Sequence, residues 1–99
     1  MSETRRYAIF FTSAARRHLD KLPLPVATAL YEHLTGPLAE NPYRLGKPLD
    51  RPFDEVWTTR RGDYRVLYSV DDRERVITVL AVAHRRDAYR PRLPPHQPG

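Results

Sequence analysis

The chain has 99 residues, enough for one small domain with a modest core, so any functional site must lie on the surface or in a shallow groove. Lys and Arg number 17 against 12 Asp and Glu, and the resulting net charge of +5 favours a polyanionic partner, although a merely solvated basic surface has the same balance. Cys is absent, which excludes disulfides and thiolate metal sites.

The first third of the chain predicts a strand followed by two helices. Residues 7–11 (YAIFF) are aromatic and β-branched, and Thr12-Ser13 are residue types that cap helices, so we expect a strand and then a helix from Ser13. The apolar residues of this helix recur on one face: Ala15, Leu19 and Leu22. Pro23 ends it, and Pro25 occupies the first turn of a second, antiparallel helix.

Pairs of residues that contain proline mark the end of the helical region. Gly36-Pro37 is expected to kink or stop the second helix, and Asn41-Pro42 closes the region. The segment from Tyr43 to Phe53 is then predicted to be an extended loop.

Three strands are predicted after this loop, at Glu55–Thr59, Tyr64–Val70 and Arg75–Ala83. Turn residues at 61–63 and 71–73 separate them, so they form an antiparallel meander. In the middle strand the residues alternate between two faces, with Tyr64, Val66, Tyr68 and Val70 on one and Arg65, Leu67 and Ser69 on the other. The last strand is apolar at nearly every position, as expected of a central strand.

Together these elements predict an α+β domain in the order β-α-α-β-β-β, with room for a short helix after the last strand. Its curved, mainly antiparallel sheet has four strands, and the two helices pack on one face. We expect this domain to span residues 1–90 and the Pro-rich tail, residues 91–99, to be disordered. The chain shows neither the apolar run of a signal peptide nor a membrane span of about 18 apolar residues, so we expect a soluble, cytoplasmic protein.

Basic residues should gather at one end of this sheet. If the last hairpin turns at Asp72-Arg73, the tip at 61–63 lies alongside Val82 to His84, and the long side chain of Arg65 reaches the same patch. The residues that converge are Arg60, Arg61, His84, Arg85 and Arg86. Beside Tyr89 they would suit single-stranded RNA, because guanidinium groups hold phosphates and aromatic rings stack on bases. A solvated, charged edge that prevents aggregation is the alternative.

The string from Gly62 to Val70 (GDYRVLYSV), an acidic turn, an apolar strand and then His84 to Tyr89 (HRRDAY) together resemble the RelE branch of the RelE/ParE toxin superfamily. The preceding loop, from Asn41-Pro42 to Gly46-Lys47-Pro48-Leu49, agrees with it. The resemblance implies a metal-independent ribonuclease, without a cofactor, that cuts messenger RNA in the ribosomal A site. The ribose 2′-OH would attack the adjacent phosphate and leave a 2′,3′-cyclic phosphate. A cognate antitoxin would neutralise the toxin, in a hetero-oligomer.

The resemblance also implies roles for individual residues. Arg65 and Arg85 match the two arginines that stabilise the transition state, and Tyr89 matches a tyrosine that transfers a proton or stacks on a base. The further RNA contacts would come from four basic residues: Lys47, Arg60, Arg61 and Arg86.

The sequence departs from the family in one respect that concerns catalysis. The best-known members carry lysines on the strand before the GDYR motif, where this chain has Val56 and Thr58. Arginine is a poor proton shuttle because its pKa exceeds 12, so the base for the 2′-OH would be Tyr89 or His84.

Two other functions remain open at the level of sequence. A ParE-like toxin of the same fold would bind DNA gyrase instead of cutting RNA, and the missing lysines support that reading. A non-catalytic nucleic-acid-binding module would need only the charge. No histidine is spaced with carboxylates in a pattern typical of metal ligands, so no metal site is predicted.

Overall fold

The sheet at the centre of the molecule has five strands in the order β1-β5-β4-β3-β2. The computed structural model describes residues 6–49 and 55–86, and within them the strands are β1 (Ala8–Phe11), β2 (Lys47–Pro48), β3 (Trp57–Arg61), β4 (Tyr64–Asp71) and β5 (Val76–His84). β1 runs parallel to β5, and all other neighbours are antiparallel. The α+β class and the mainly antiparallel sheet are therefore confirmed, with β5 in the interior of the sheet.

The fifth strand, β2, lies in the segment that was predicted to be an extended loop. Lys47 pairs with Thr58 and Pro48 with Trp57, and the Leu49 amide continues the ladder by donating to Val56 O at 2.8 Å. The strand has two residues and occupies an edge, where proline is tolerated because its missing N–H faces away from the ladder. A strand of two residues has no alternating pattern of apolar residues. The sequence therefore predicted a sheet of four strands instead of five.

The first helix, α1 (Ser13–Asp20), begins where the capping residues predicted. The hydroxyl of Thr12 accepts a hydrogen bond from the Ala15 amide at 3.1 Å and donates one to Leu80 O on β5, also at 3.1 Å. One side chain therefore both caps the helix and joins it to the sheet.

The second helix, α2 (Leu24–His33), changes to another helix type over the residues where a kink or stop was predicted. Residues Leu34–Leu38 form a π-helical turn that accommodates Pro37, which lacks the N–H of a regular helix. The helix ends at Asn41, whose amide donates to Pro37 O, as the Asn41-Pro42 signal predicted.

Both helices pack on one face of the sheet, as expected. The fully buried side chains come from α1, from α2 with its π-helical extension, and from the two central strands: Ala15, Leu30, Leu34, Leu38, Val66, Tyr68, Ile77 and Val79. The hydroxyl of Tyr68 donates to Pro42 O at 2.6 Å, which satisfies a polar group inside this core. The loop after α2 is thereby fixed against β4.

A polar cluster closes the end of the sheet at the β4–β5 turn. Asp72 accepts hydrogen bonds from the hydroxyls of Tyr7, at 2.6 Å, and Tyr43, at 2.8 Å. These bonds, first that of Tyr7 and then that of Tyr43, lower the pKa of Asp72. The guanidinium of Arg75 lies 4.1 Å from the centre of the Tyr7 ring. The cluster ties β1 and the loop after α2 to the turn.

Candidate nucleic-acid interface

The basic residues predicted to converge do so at the end of the sheet formed by the β3–β4 turn and the last residues of β5. Across β3 and β4, Arg60 lies opposite Arg65 and Arg61 lies opposite Tyr64. β5 completes this end by placing His84 opposite Tyr64. These residues therefore lie at one end of the sheet, although their pairing and their faces differ from the prediction.

The predicted register of the β4–β5 hairpin was wrong by three residues. The structure places Arg85 beside the tip, where its amide donates to Asp63 O at 2.6 Å, instead of residue 82. The turn takes four residues, 72–75, and its last residue, Arg75, adopts a left-handed conformation with φ 57°. A β-bulge in β5, where Leu80 is the extra residue opposite the step from Leu67 to Tyr68, shifts the register once more.

Arg60 and Arg65 project from the face of the sheet opposite the helices. Their chain neighbours face the helices, because the Thr59 hydroxyl hydrogen-bonds to His33 of α2 at 3.1 Å and Val66 is fully buried in the core. Successive residues of a strand alternate between faces, and paired residues share one. The two arginines therefore stand side by side on the face away from the helices.

Arg61 and His84 lie on the other face, with Tyr64 between them. The Tyr64 ring contacts the His84 imidazole edge to face, with 5.2 Å between centroids. His84 Nδ1 accepts a hydrogen bond from the Arg86 amide at 3.2 Å, so the neutral ring carries its proton on Nε2. The sheet separates His84 from Arg65, and the predicted cluster is thus divided between two faces.

The Arg60–Arg65 pair has the electrostatics of an anion site. Like charges directly opposite each other on a sheet are destabilising, and within residues 6–49 and 55–86 neither arginine has an ion pair to a carboxylate. In addition, Arg65 Nε is buried and lacks a hydrogen-bond partner in this part of the chain. A phosphate between the two guanidinium groups would relieve the repulsion and supply the missing acceptor.

Arg85 stands next to this pair in a contact that an anion can replace. Its Nε lies 3.8 Å from Asp63 Oδ1, and both side chains are about two-thirds exposed to solvent. Exposed ion pairs of this length contribute at most about 1 kcal/mol. The guanidinium of Arg85 is therefore available to a more strongly charged ligand such as a phosphodiester.

Lys47 and Thr58 extend the same face toward the sheet edge. They are cross-strand partners, and Thr58 is two residues from Arg60, so all three side chains project from the face opposite the helices. Thr58 is buried, and its hydroxyl has no hydrogen-bond partner among the described residues. No sequence signal points to this orphaned group, since threonine is an ordinary strand residue.

Tyr89, the tyrosine assigned by resemblance, lies outside the described residues, as do the predicted tail at 91–99 and Phe53. Over residues 6–49 and 55–86, no three side chains of His, Asp or Glu are grouped to hold a metal ion. In the same ranges no helix is both long and apolar enough to span a membrane.

Two half-buried histidines connect the helices to the strands that carry the site. His18 of α1 accepts a hydrogen bond from the Val82 amide through Nδ1 at 3.1 Å, and so holds the end of β5. His33 must donate through Nε2 to the Thr59 hydroxyl, because that hydroxyl already donates its own proton to Leu45 O at 2.9 Å. Both bonds are compatible with neutral rings.

The stability of the protein should fall as the pH drops from about 7.5 toward 5. Burial, followed by the charges of Arg17 and Lys21, lowers the pKa of His18, and burial, followed by the charge of Arg61, lowers that of His33. The unfolded chain, with histidine pKa values near 6.5, therefore binds protons in a range where the folded chain does not, and folding weakens with acid.

Urea denaturation at a series of pH values measures this effect. In His18→Asn the amide oxygen can replace Nδ1 as the acceptor but does not titrate, so the dependence of stability on pH should become shallower. An equally steep dependence in His18→Asn and in wild type would contradict the role assigned to His18.

Comparison with known proteins identifies similar chains. Residues 9–89 match the family model described as the ParE toxin of the type II toxin–antitoxin system, parDE. Two proteins of Mycobacterium tuberculosis are similar over most of their length: Toxin RelE, 41% identical over 91% of this chain and 93% of its own, and Toxin RelG, 44% identical over 85% and 97%. Among solved structures, the toxin–antitoxin complex RelBE2 of M. tuberculosis contains a chain that is 42% identical, with a TM-score of 0.78, over 81% of this chain and 99% of its own.

Proposed function

The chain belongs to the RelE/ParE family of toxins from type II toxin–antitoxin systems, and on this basis we propose that it is an endoribonuclease that cuts messenger RNA on the ribosome. The observation that supports this proposal best is the pair of arginines at the centre of the site. Arg60 and Arg65 face the same side without a carboxylate partner in the described part of the chain, and Arg85 follows them at the end of β5. Such a cationic surface suits the developing charge of a phosphodiester under attack.

In the proposed reaction the ribose 2′-OH attacks the adjacent phosphorus and the bond from phosphorus to the 5′ oxygen breaks. The products are a 2′,3′-cyclic phosphate and a free 5′-OH. The 2′-OH passes its proton to a base and the 5′ oxygen gains one from a donor, so no proton is lost overall. Arg65 and Arg85 stabilise the additional negative charge, and Arg60 holds the RNA on the same face. Arg61, on the other face, and Arg86 would contact parts of the RNA away from the scissile phosphate. No resident metal or cofactor enters these steps.

Tyr89 is our candidate for the base, in preference to His84. His84 faces the helix side of the sheet and already uses Nδ1 to accept the Arg86 amide. A base must come within hydrogen-bond reach of the 2′-OH, and a phosphate held by Arg60 and Arg65 would be on the opposite face. The family resemblance of the HRRDAY segment supports Tyr89.

We further propose that a cognate antitoxin binds the chain and keeps it inactive in the cytoplasm. Large apolar side chains are more than half exposed on β1 and α2: Phe10, Leu24 and Tyr31. An amphipathic, partly acidic segment would cover such residues and offset the positive charge. The similar M. tuberculosis toxin was solved as a toxin–antitoxin complex.

The second candidate function is inhibition of DNA gyrase. The matching family model is described as the ParE toxin, and this chain has Val56 and Thr58 where the best-known RelE members carry lysines. Inhibition of gyrase involves no cleavage of RNA, so no transition state of that reaction has to be stabilised. The effect on growth should then not depend on the guanidinium of Arg65.

The two functions are separated by inducing the chain in cells that lack the antitoxin. The proposal predicts growth arrest and new 5′ ends in messenger RNA that are phased with codons, while plasmid supercoiling stays normal. Growth arrest with relaxed plasmids and intact messenger RNA would favour gyrase inhibition.

A further inference from the structure

The pairing of β2 with β3 brings Lys47 into the site. It lies directly opposite Thr58 at the edge of the sheet, and its diagonal neighbour on β3 is Arg60. Diagonal neighbours on a sheet are roughly 7–8 Å apart, within reach of long side chains. Lys47 is exposed, and in the described part of the chain it has no ion pair with a carboxylate. It therefore adds a further cation beside Arg60 and Arg65, on the side of the sheet edge.

Thr58 gives an independent indication that this position binds a ligand. Its side chain is 7% exposed, and Oγ1 lacks any partner among the described residues. A buried hydroxyl without a partner costs about 1–3 kcal/mol, and native proteins rarely retain one without a use. Diagonally across β4, Arg65 Nε is orphaned in the same way, so two unsatisfied groups flank one point on this face.

A lysine ammonium can both contact an anion at this position and donate a hydrogen bond to the unpaired Thr58 hydroxyl. It has three donors on a flexible stem, so it can contact a phosphate and a neighbouring hydroxyl together. Without a bound anion the exposed ammonium of Lys47 is hydrated, and Thr58 Oγ1 has no partner in the described part of the chain. When an anion binds at the arginine pair, attraction draws the ammonium inward, where Thr58 Oγ1 can accept one of its hydrogen bonds.

We propose that Lys47 is a catalytic residue whose ammonium contacts the scissile phosphate, with Thr58 as the positioning residue that orients it. This inference rests on the proposed ribonuclease function. Arg60 and Arg65 hold the nonbridging oxygens from one side, and Lys47 approaches from the sheet edge. Its ammonium donates to the phosphate as negative charge develops there.

The test is the single-turnover rate of messenger RNA cleavage on purified ribosomes, with the protein at saturating concentration. Lys47→Met, which keeps the length of the side chain and removes its charge, should lower this rate by about 10- to 100-fold. Lys47→Arg should retain a large part of it. Lys21→Met is the matched control, because it removes the other lysine of the chain, near His18 on the helix side, and its rate should stay within about two-fold of wild type.

The outcomes distinguish this proposal from the function on which it rests. Wild type that leaves messenger RNA intact would refute the ribonuclease, and the catalytic role with it. Cleavage by wild type, with equal rates in Lys47→Met and Lys21→Met, would refute the role of Lys47 alone.

Thr58→Val provides a second test in which stability and activity should change in opposite directions. Removal of an unpaired, buried hydroxyl should leave the free energy of unfolding unchanged or raise it, because valine has nearly the same shape. Cleavage should nevertheless slow by about 10-fold, as expected for one lost hydrogen bond to a charged group, and Thr58→Ser should restore it. A Thr58→Val rate within about two-fold of wild type would contradict the positioning role.

Discussion

Arg65→Ala is expected to lower the rate of messenger RNA cleavage by about 10²- to 10³-fold, the usual effect of removing one preorganised donor from a transition state. Arg65 lies opposite Arg60 and carries a buried Nε without a partner in the described part of the chain, so it is poised for an anion. Arg65→Lys should restore little of the rate, because an ammonium cannot reproduce the planar fork of a guanidinium. Single-turnover cleavage on programmed ribosomes measures both variants.

Arg73→Ala controls for the loss of one positive charge. Arg73 is exposed in the β4–β5 turn, at the opposite end of the sheet from the site, so its removal should change the rate by less than about two-fold at moderate salt. Urea denaturation of the Arg65 variants shows whether they remain folded. A folded Arg65→Lys variant that cleaves as fast as wild type would contradict the role of the guanidinium fork and would show that positive charge alone suffices at this position.

Gly46→Ala is expected to destabilise the fold by about 1–3 kcal/mol, the usual cost of overpacking a core. A β-carbon at this position would clash with the Tyr68 hydroxyl and lie 2.8 Å from Thr58 O. The hydroxyl cannot move aside freely, because it donates to Pro42 O. Breaking that bond would leave buried polar groups unpaired, at a further cost of about 1–3 kcal/mol. Urea denaturation at constant pH measures the loss of free energy of unfolding.

Gly36→Ala is the matched control for this prediction. A β-carbon at Gly36 meets no atom within 4 Å, and the residue lies in the π-helical turn after α2. We expect this change to be neutral or to stabilise the protein by about 0.4–1 kcal/mol. The double variant Gly46→Ala with Tyr68→Phe lacks the nearest clashing atom, the Tyr68 hydroxyl. Its free energy of unfolding should therefore fall by less than the sum of the decreases in the two single variants. Strict additivity would show that Tyr68 does not cause the strain.

Local sequence signals predicted the parts of the fold that depend on neighbouring residues. Thr12 and Pro25 place the helix starts to within a residue, and the alternation along residues 64–70 assigns the faces of β4 correctly. These features follow from capping, from the fixed φ of proline and from the period of two in a strand. Each of them can be read within a short window of sequence.

The features that sequence could not predict depend on pairing between distant segments. The β-bulge at Leu80 and the four-residue turn at 72–75 set the register of β5, and they decide that His84 faces away from Arg65. β2 is recognisable only by its pairing with β3, so the position of Lys47 opposite Thr58 could not be predicted from the sequence. Thr58 occupies a position where the best-known family members carry a lysine. In this chain a lysine, Lys47, lies opposite that position on the adjacent strand β2.

The most direct test of the proposed function uses purified protein, a defined messenger RNA, and reactions with and without ribosomes, followed by analysis of the RNA ends. We predict cleavage only when ribosomes are present, at positions fixed by the A-site codon, with 2′,3′-cyclic phosphate on one fragment and 5′-OH on the other. Intact messenger RNA in the presence of ribosomes and folded protein would contradict the ribonuclease function. If the same preparation inhibited supercoiling by gyrase, gyrase inhibition would become the favoured function.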